Sequence, residues 1–177
     1  QFGTAADRSI FPVTAHERRL PGDDDHRQHL VASLVYDTTS RASLYSGFTR
    51  MLLRHWTVSF SYDVLSGAPY SAYADADLNG DGNAFNDLAP GTTRNQYRLP
   101  WYMSFNPRAA RDFRFGDNKK VTILWEAFNL TNRPNYIAVD DVLYTLTTSG
   151  LQRNPLFRRA TAQDEGRMMQ VAARLSF

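Results

Sequence analysis

The chain has 177 residues, of which 20 are basic and 18 acidic, and 13% are aromatic. A formal charge of only +2 with no dense Lys/Arg run argues against a nucleic-acid partner, and the lack of cysteine removes disulfides and thiolate-held zinc. Nine Tyr, eleven Phe and three Trp are too many for a disordered chain.

No stretch reaches the roughly 20 apolar residues that a membrane helix needs. Strands of a membrane barrel need only about 9–11 residues, apolar on one face and polar on the other, so a membrane location stays open.

Residues 1–26 are polar and hold Pro12, Pro21 and the run Asp23-Asp24-Asp25, which reads as loop or linker. The start Gln1-Phe2-Gly3 has neither Met nor a signal pattern, as expected of a processed or incomplete chain.

Five strands are predicted in residues 27–177. The first, His29–Asp37, puts Leu30, Ala32, Leu34 and Tyr36 on one side, although Val31 and Val35 blur the alternation. The second, His55–Asp63, alternates cleanly, with Trp56, Val58, Phe60 and Tyr62 on one face. In the third, Trp101–Phe115, the residues Trp101, Met103, Phe105, Ala109, Phe113 and Phe115 share one parity. Arg111 interrupts that series, and Pro107 suggests a bulge or break.

Gly116-Asp117-Asn118-Lys119 has the composition of a tight turn. The fourth strand, Val121–Leu130, is apolar on both faces, which leaves its orientation open. The fifth, Arg167–Phe177, aligns Met169, Val171, Ala173, Leu175 and Phe177. An alternating strand that closes on a carboxyl-terminal Phe is similar to the assembly signal of bacterial outer-membrane proteins, carried here by Val171, Ala173, Leu175 and Phe177.

The connections differ in length. Strands three and four meet in a short turn, whereas long loops occupy residues 75–98 and 135–164, and residues 38–54 join strands one and two. Short turns on one side and long loops on the other form the pattern of an antiparallel transmembrane β-barrel with extracellular loops. That topology puts Trp56, Phe113, Phe115 and Phe177 near the periplasmic rim, and Tyr70, Tyr73, Trp101 and Tyr136 near the outer rim. Five strands cannot close a barrel, since the smallest have about 8, so the remaining strands are expected from a longer parent chain.

The first long loop contains Asp77-Leu78-Asn79-Gly80-Asp81-Gly82, which resembles the first half of an EF-hand calcium loop. The second half departs from it, because Leu88 occupies the place of the bidentate Glu. Two readings stand: a partial calcium site from Asp77, Asn79, Asp81 and Asp87, or a Gly/Asn/Asp turn cluster.

DLNGDGN, AFND and LAPGTTRNQYR are followed by a strand, a short turn and WEAFNLTNRPNY. HLVASLVYD and WTVSFSYDVLSGAPYSA precede them, and VAARLSF closes the chain. In this order, over about residues 26–177, the segments resemble the terminal barrel of Oar-like TonB-dependent receptors. Leu99-Pro100-Trp101 and Asn106-Pro107 depart from that pattern.

The resemblance implies a barrel of about 22 strands with a plugged lumen in the bacterial outer membrane. It also implies a receptor that imports a ligand with energy relayed by TonB through a plug lying upstream. Its partners would be outer-membrane lipid, the rest of the receptor chain and the barrel assembly machinery.

No motif of an enzyme is present; Asp63, Glu126 and the four His lack the spacing of an acid–base or nucleophile pair. Lipid-facing positions are expected at Trp56, Val58, Phe60, Tyr62, Met103 and Phe105. Asn95, Gln96, Tyr97 and Arg98 are candidates for loop contacts to a ligand. The rival expectation is a soluble calcium-dependent all-β domain for adhesion or glycan binding, with the Trp56 face buried against a second sheet.

Overall fold

A computed structural model describes residues 21–39, 44–116 and 119–177. Residues 1–20 of the expected linker lie outside that range, as do 40–43 of the 38–54 connection and Asp117-Asn118 of the expected turn.

The elements are β1 (His29–Asp37), α1 (Gly47–Leu53), β2 (Trp56–Leu65), β3 (Pro69–Tyr70), β4 (Tyr73–Asp75), β5 (Tyr97–Arg98) and β6 (Tyr102–Phe115). They continue with β7 (Lys119–Phe128), β8 (Tyr136–Val139), β9 (Val142–Thr147), β10 (Gly150–Arg153), β11 (Ala160–Gln163) and β12 (Met168–Ser176). The chain is all-β apart from α1, and its strand pairs are antiparallel except β4 with β9.

Two compact units divide it. One comprises Arg27–Gly67, Pro100–Ile137 and Ala162–Phe177; the other holds Ala68–Leu99, Ala138–Thr161 and the stretch up to His26.

The first unit is a five-stranded antiparallel sheet in the order β1-β2-β6-β7-β12. These are the five strands expected from the alternating pattern, in the expected neighbour order. The bounds shift by one or two residues. His55 falls outside β2 because its φ of 63° is left-handed, which ends the extended run at Trp56.

Pro107 does not break its strand. It stands opposite Phe60 in an unshifted β2–β6 register, while β7 pairs with β6 only from Arg108 onward. Its missing N–H therefore sits at the limit of the pairing with β7, where proline is tolerated.

Register assigns every side chain to a face, because directly opposed residues share one. Trp56, Val58, Phe60, Tyr62 and Val64 oppose Arg111, Ala109, Pro107, Phe105 and Met103. Leu30, Ala32, Leu34 and Tyr36 join them from β1. On the other side, Ala109 opposes Trp125, and Trp125, Ile123 and Val121 oppose Val171, Ala173 and Leu175. The orientation of the fourth strand, open from sequence, is thus fixed: Val121, Ile123, Trp125 and Ala127 continue the apolar face.

The opposite face carries Asp63, Ser61, Ser59 and Thr57, then Ser104, Asn106, Arg108 and Asp112, then Glu126, Thr122 and Lys120, then Gln170 and Arg174. Its apolar members are Val31 and Val35 in β1, Leu65 in β2, Ala110 in β6, Leu124 and Phe128 in β7, and Met168 and Ala172 in β12.

Much of the apolar face is exposed among the described residues. Val171 is 72% exposed and Leu34 55%, and no large side chain is fully buried. Leaving a side chain such as Leu34 or Val171 in water forgoes about 1.5–3 kcal/mol.

The second unit differs. It has a small core of Ala72, Ala89 and Leu143 flanked by Tyr97, Tyr144 and Phe157. Here the two long loops expected from sequence prove to carry short strands: β4 with β9 and β10 in a three-stranded sheet, and β3 with β5. Strands of two to six residues are too short for a period-two pattern to stand out.

Candidate functional site

The first sheet presents two chemically opposite faces, and each forms a site. On the apolar face the aromatic rings meet across strands: Phe60 and Phe105 have centroids 5.6 Å apart, and Tyr62 and Phe105 6.3 Å in an edge arrangement. All six residues expected to face lipid (Trp56, Val58, Phe60, Tyr62, Met103 and Phe105) lie on this face, as do Val171, Ala173 and Leu175.

Arg111, an interruption in the sequence pattern, is accommodated at the end of the sheet. Its guanidinium carbon lies 5.4 Å from the Trp56 ring centroid and 4.9 Å from that of Phe113, and Nη2 donates to the Met51 carbonyl at 2.7 Å. Trp56, Phe113 and Phe115 gather at this same end, where Phe177 follows Ser176 opposite Lys120. Phe177 is 93% exposed.

The polar face is knitted by cross-strand contacts. Arg108 Nε lies 4.0 Å from Glu126 Oε2, and Gln170 donates to the same carboxylate. Asp112 accepts from Thr122 Oγ1 at 2.7 Å and from Lys120 Nζ at 3.3 Å. Asn106 Oδ1 accepts from Ser104 Oγ at 2.8 Å and from the Asn129 backbone N–H at 2.9 Å.

A hollow on this face is lined from all five strands, by Val35, Ser59, Arg108, Thr122 and Arg174 among others.

His29 Nε2 lies 2.9 Å from Asp63 Oδ1. Sequence spacing gave no sign of this pair, because the two are 34 residues apart and meet through the β1–β2 register.

In the second unit the Asp/Asn loop folds on itself. Asp77 accepts from the N–H groups of Gly80, Asp81 and Gly82 at 2.7–3.1 Å, and Asp81 from that of Asn83 at 2.8 Å. Asn79 accepts from Asp81 N at 2.8 Å, and Asp87 from the N–H groups of Leu78 and Asn79 at 2.6 and 3.3 Å. Gly80 and Gly82 have φ of 76° and 86°, which side-chain-bearing residues rarely adopt. A bridge between Tyr73 and Leu88 closes the base of the loop.

All four candidate calcium ligands thus belong to one loop, with their oxygens engaged by its own donors. No group of three His, Asp or Glu side chains disposed to hold a metal occurs among the described residues. Hydrogen bonds from the Asn86 side chain and the Asn83 N–H hold the Asp81 carboxyl below its ordinary value.

All four residues considered as ligand contacts make contacts within the chain. Asn95, nearly buried, donates through Nδ2 to Pro21 O at 2.7 Å and to Asp23 Oδ1 at 2.8 Å. Arg98 pairs with Asp25, and the Tyr97 ring stacks on Tyr70 and meets the edge of Phe157. Gln96, at the surface, accepts from Thr93 N. Comparison with protein-family models, with curated proteins and with solved structures gave no match.

Proposed function

We propose that this chain forms wall and loops of a bacterial outer-membrane β-barrel, the C-terminal part of a non-enzymatic TonB-dependent receptor of the Oar-like kind. The observation that supports this reading is the continuity of one apolar face across all five strands of a sheet whose other face carries charges and amides. A wall between lipid and a polar lumen needs that combination: hydrocarbon-compatible side chains outside, charges and amides inside. A water-soluble sandwich would instead cover the Trp56 face with a second sheet.

Lipid supplies the missing partner for Leu30, Leu34, Val58, Val171 and Leu175. The outer edges of β1 and β12 carry backbone groups unpaired among the described residues. In hydrocarbon each would cost several kcal/mol, so the proposal includes further strands of the receptor that close the barrel. The second unit, between β2 and β6 and between β7 and β12 in the chain, supplies loops for an extracellular ligand. Relay from TonB belongs to a plug outside this sequence, and Phe177 with Val171, Ala173 and Leu175 serves the assembly machinery.

The test is fractionation of source cells with an antibody against residues 75–98. The proposal predicts a heat-modifiable band in the outer-membrane fraction. A band confined to soluble fractions would overturn it and favour a soluble β-domain.

A further inference from the structure

We propose that the segment Leu44–Arg54, built around α1, is an interfacial anchor for anionic phospholipid headgroups at one rim of the wall; this rests on the reading of the apolar face as lipid-covered. In α1 the spacing of Phe48, Met51 and Leu52 gives one apolar stripe, with Arg50 on the other side beside Leu53; Arg54 follows as the extended C-cap. No residue of the helix is buried, and Leu44 and Phe48 are 78% and 70% exposed.

The helix is nonetheless fastened firmly. Its last carbonyls, which have no partner within a helix, are taken by side chains from the sheet end. Arg111 Nη2 donates to Met51 O at 2.7 Å, Trp56 Nε1 to Leu52 O at 2.8 Å and Thr38 Oγ1 to Leu53 O at 2.6 Å. These donors come from β6, from β2 and from the residue after β1, so the helix is strapped across three strands. Trp56 and Arg111 belong to the apolar face, and the helix is therefore pinned at the rim of that face.

Charge selects the occupant. Among the described residues at this end, Arg50 and Arg54 belong to the helix segment and Arg111 and Lys119 to the apolar face, while Arg114 and Lys120 lie on the polar face with Asp37 and Asp112. Both carboxylates are engaged, Asp37 by the Thr39 N–H at 2.7 Å and Asp112 by Thr122 and Lys120. An exposed apolar stripe beside an excess of cations, continuous with a hydrocarbon-facing wall, matches a bilayer interface that contains anionic phosphates.

The experiment uses the intact parent receptor, whose further strands close the barrel, refolded into vesicles of phosphatidylcholine with phosphatidylglycerol, either lipid being brominated near its headgroup. In a background that keeps Trp56 as the sole tryptophan that residue reports the rim; in one that keeps only Trp125, Trp125 reports the wall. The expected result is quenching of Trp125 by both lipids, and quenching of Trp56 that is about threefold stronger with brominated phosphatidylglycerol. R50Q/R54Q in the Trp56 background should bring the two lipids to parity. Quenching of Trp125 with no lipid preference at Trp56 would overturn the anchor while sparing the wall, and would leave the arginines to a soluble acidic partner. Unquenched Trp125 would overturn both.

Discussion

Arg111 stands on the apolar face with its guanidinium over the Trp56 and Phe113 rings and its Nη2 donating to the Met51 carbonyl at the sheet end. A long cationic side chain is tolerated there because its head reaches ring faces and a carbonyl at the rim. A charge in mid-strand has no such exit. Val58→Arg and Val171→Arg should each destabilise the vesicle-inserted chain by about 2–4 kcal/mol, read from denaturant titration. Ser59→Arg, one residue away but facing the polar hollow, should cost well under half of that. Equal effects at positions 58 and 59 would mean that the two faces do not see different solvents. Arg111→Met should be milder than Val58→Arg, since it removes a cation from a face that is otherwise apolar.

Elements add constraints that single residues do not show. The five long strands were legible in the sequence because each is a run of nine or more residues rich in apolar and aromatic side chains, with clear period two in β2, β6 and β12. The orientation of β7 was not, because Leu124 is as apolar as Ile123 and Trp125; only pairing with Ala109 and Val171 separates them. Nor were β3, β5 and α1, whose two to seven residues give too few turns or alternations to read. The His29–Asp63 pair depends on register, which the separate strand patterns do not fix.

The Asp/Asn loop was visible as a motif, but not the use of its oxygens by its own backbone. Its pH response follows from Asp81. A carboxyl held below its ordinary value contributes stability that is fully present above that ordinary value and is lost as pH falls through the depressed one. Protease protection of residues 77–87 should thus hold from neutral pH down to the ordinary carboxylate range and fail below it. Asp81→Asn should remove that acid-dependent step. Chelation of calcium should leave protection unchanged if the turn bonds alone hold the loop; loss of protection would assign Asp77, Asn79, Asp81 and Asp87 to the ion.

For the whole molecule, the two faces have to be explained together. An exposed apolar face and a charged, amide-bearing one on the same five strands fit the proposed partition between lipid and a polar lumen. The small core of Ala72, Ala89 and Leu143 belongs to the other unit and cannot offset the wall's exposed leucines and valines. Removal of Phe177 should slow insertion into membranes without changing the wall's final stability, as measured by the rate of appearance of the heat-modifiable form. An unaltered rate would deny the residue an assembly role.

This chain has no cysteine, so single thiols placed in it report one position each. Single cysteines at Val58, Ser59, Phe60 and Ser61 would each carry an environment-sensitive fluorophore, in the intact receptor with any upstream cysteines replaced, inserted into vesicles. A lipid-facing wall gives blue-shifted emission, quenched by brominated lipid, at positions 58 and 60, and water-like unquenched emission at 59 and 61. The same water-like emission at all four positions, or the opposite alternation, would contradict it.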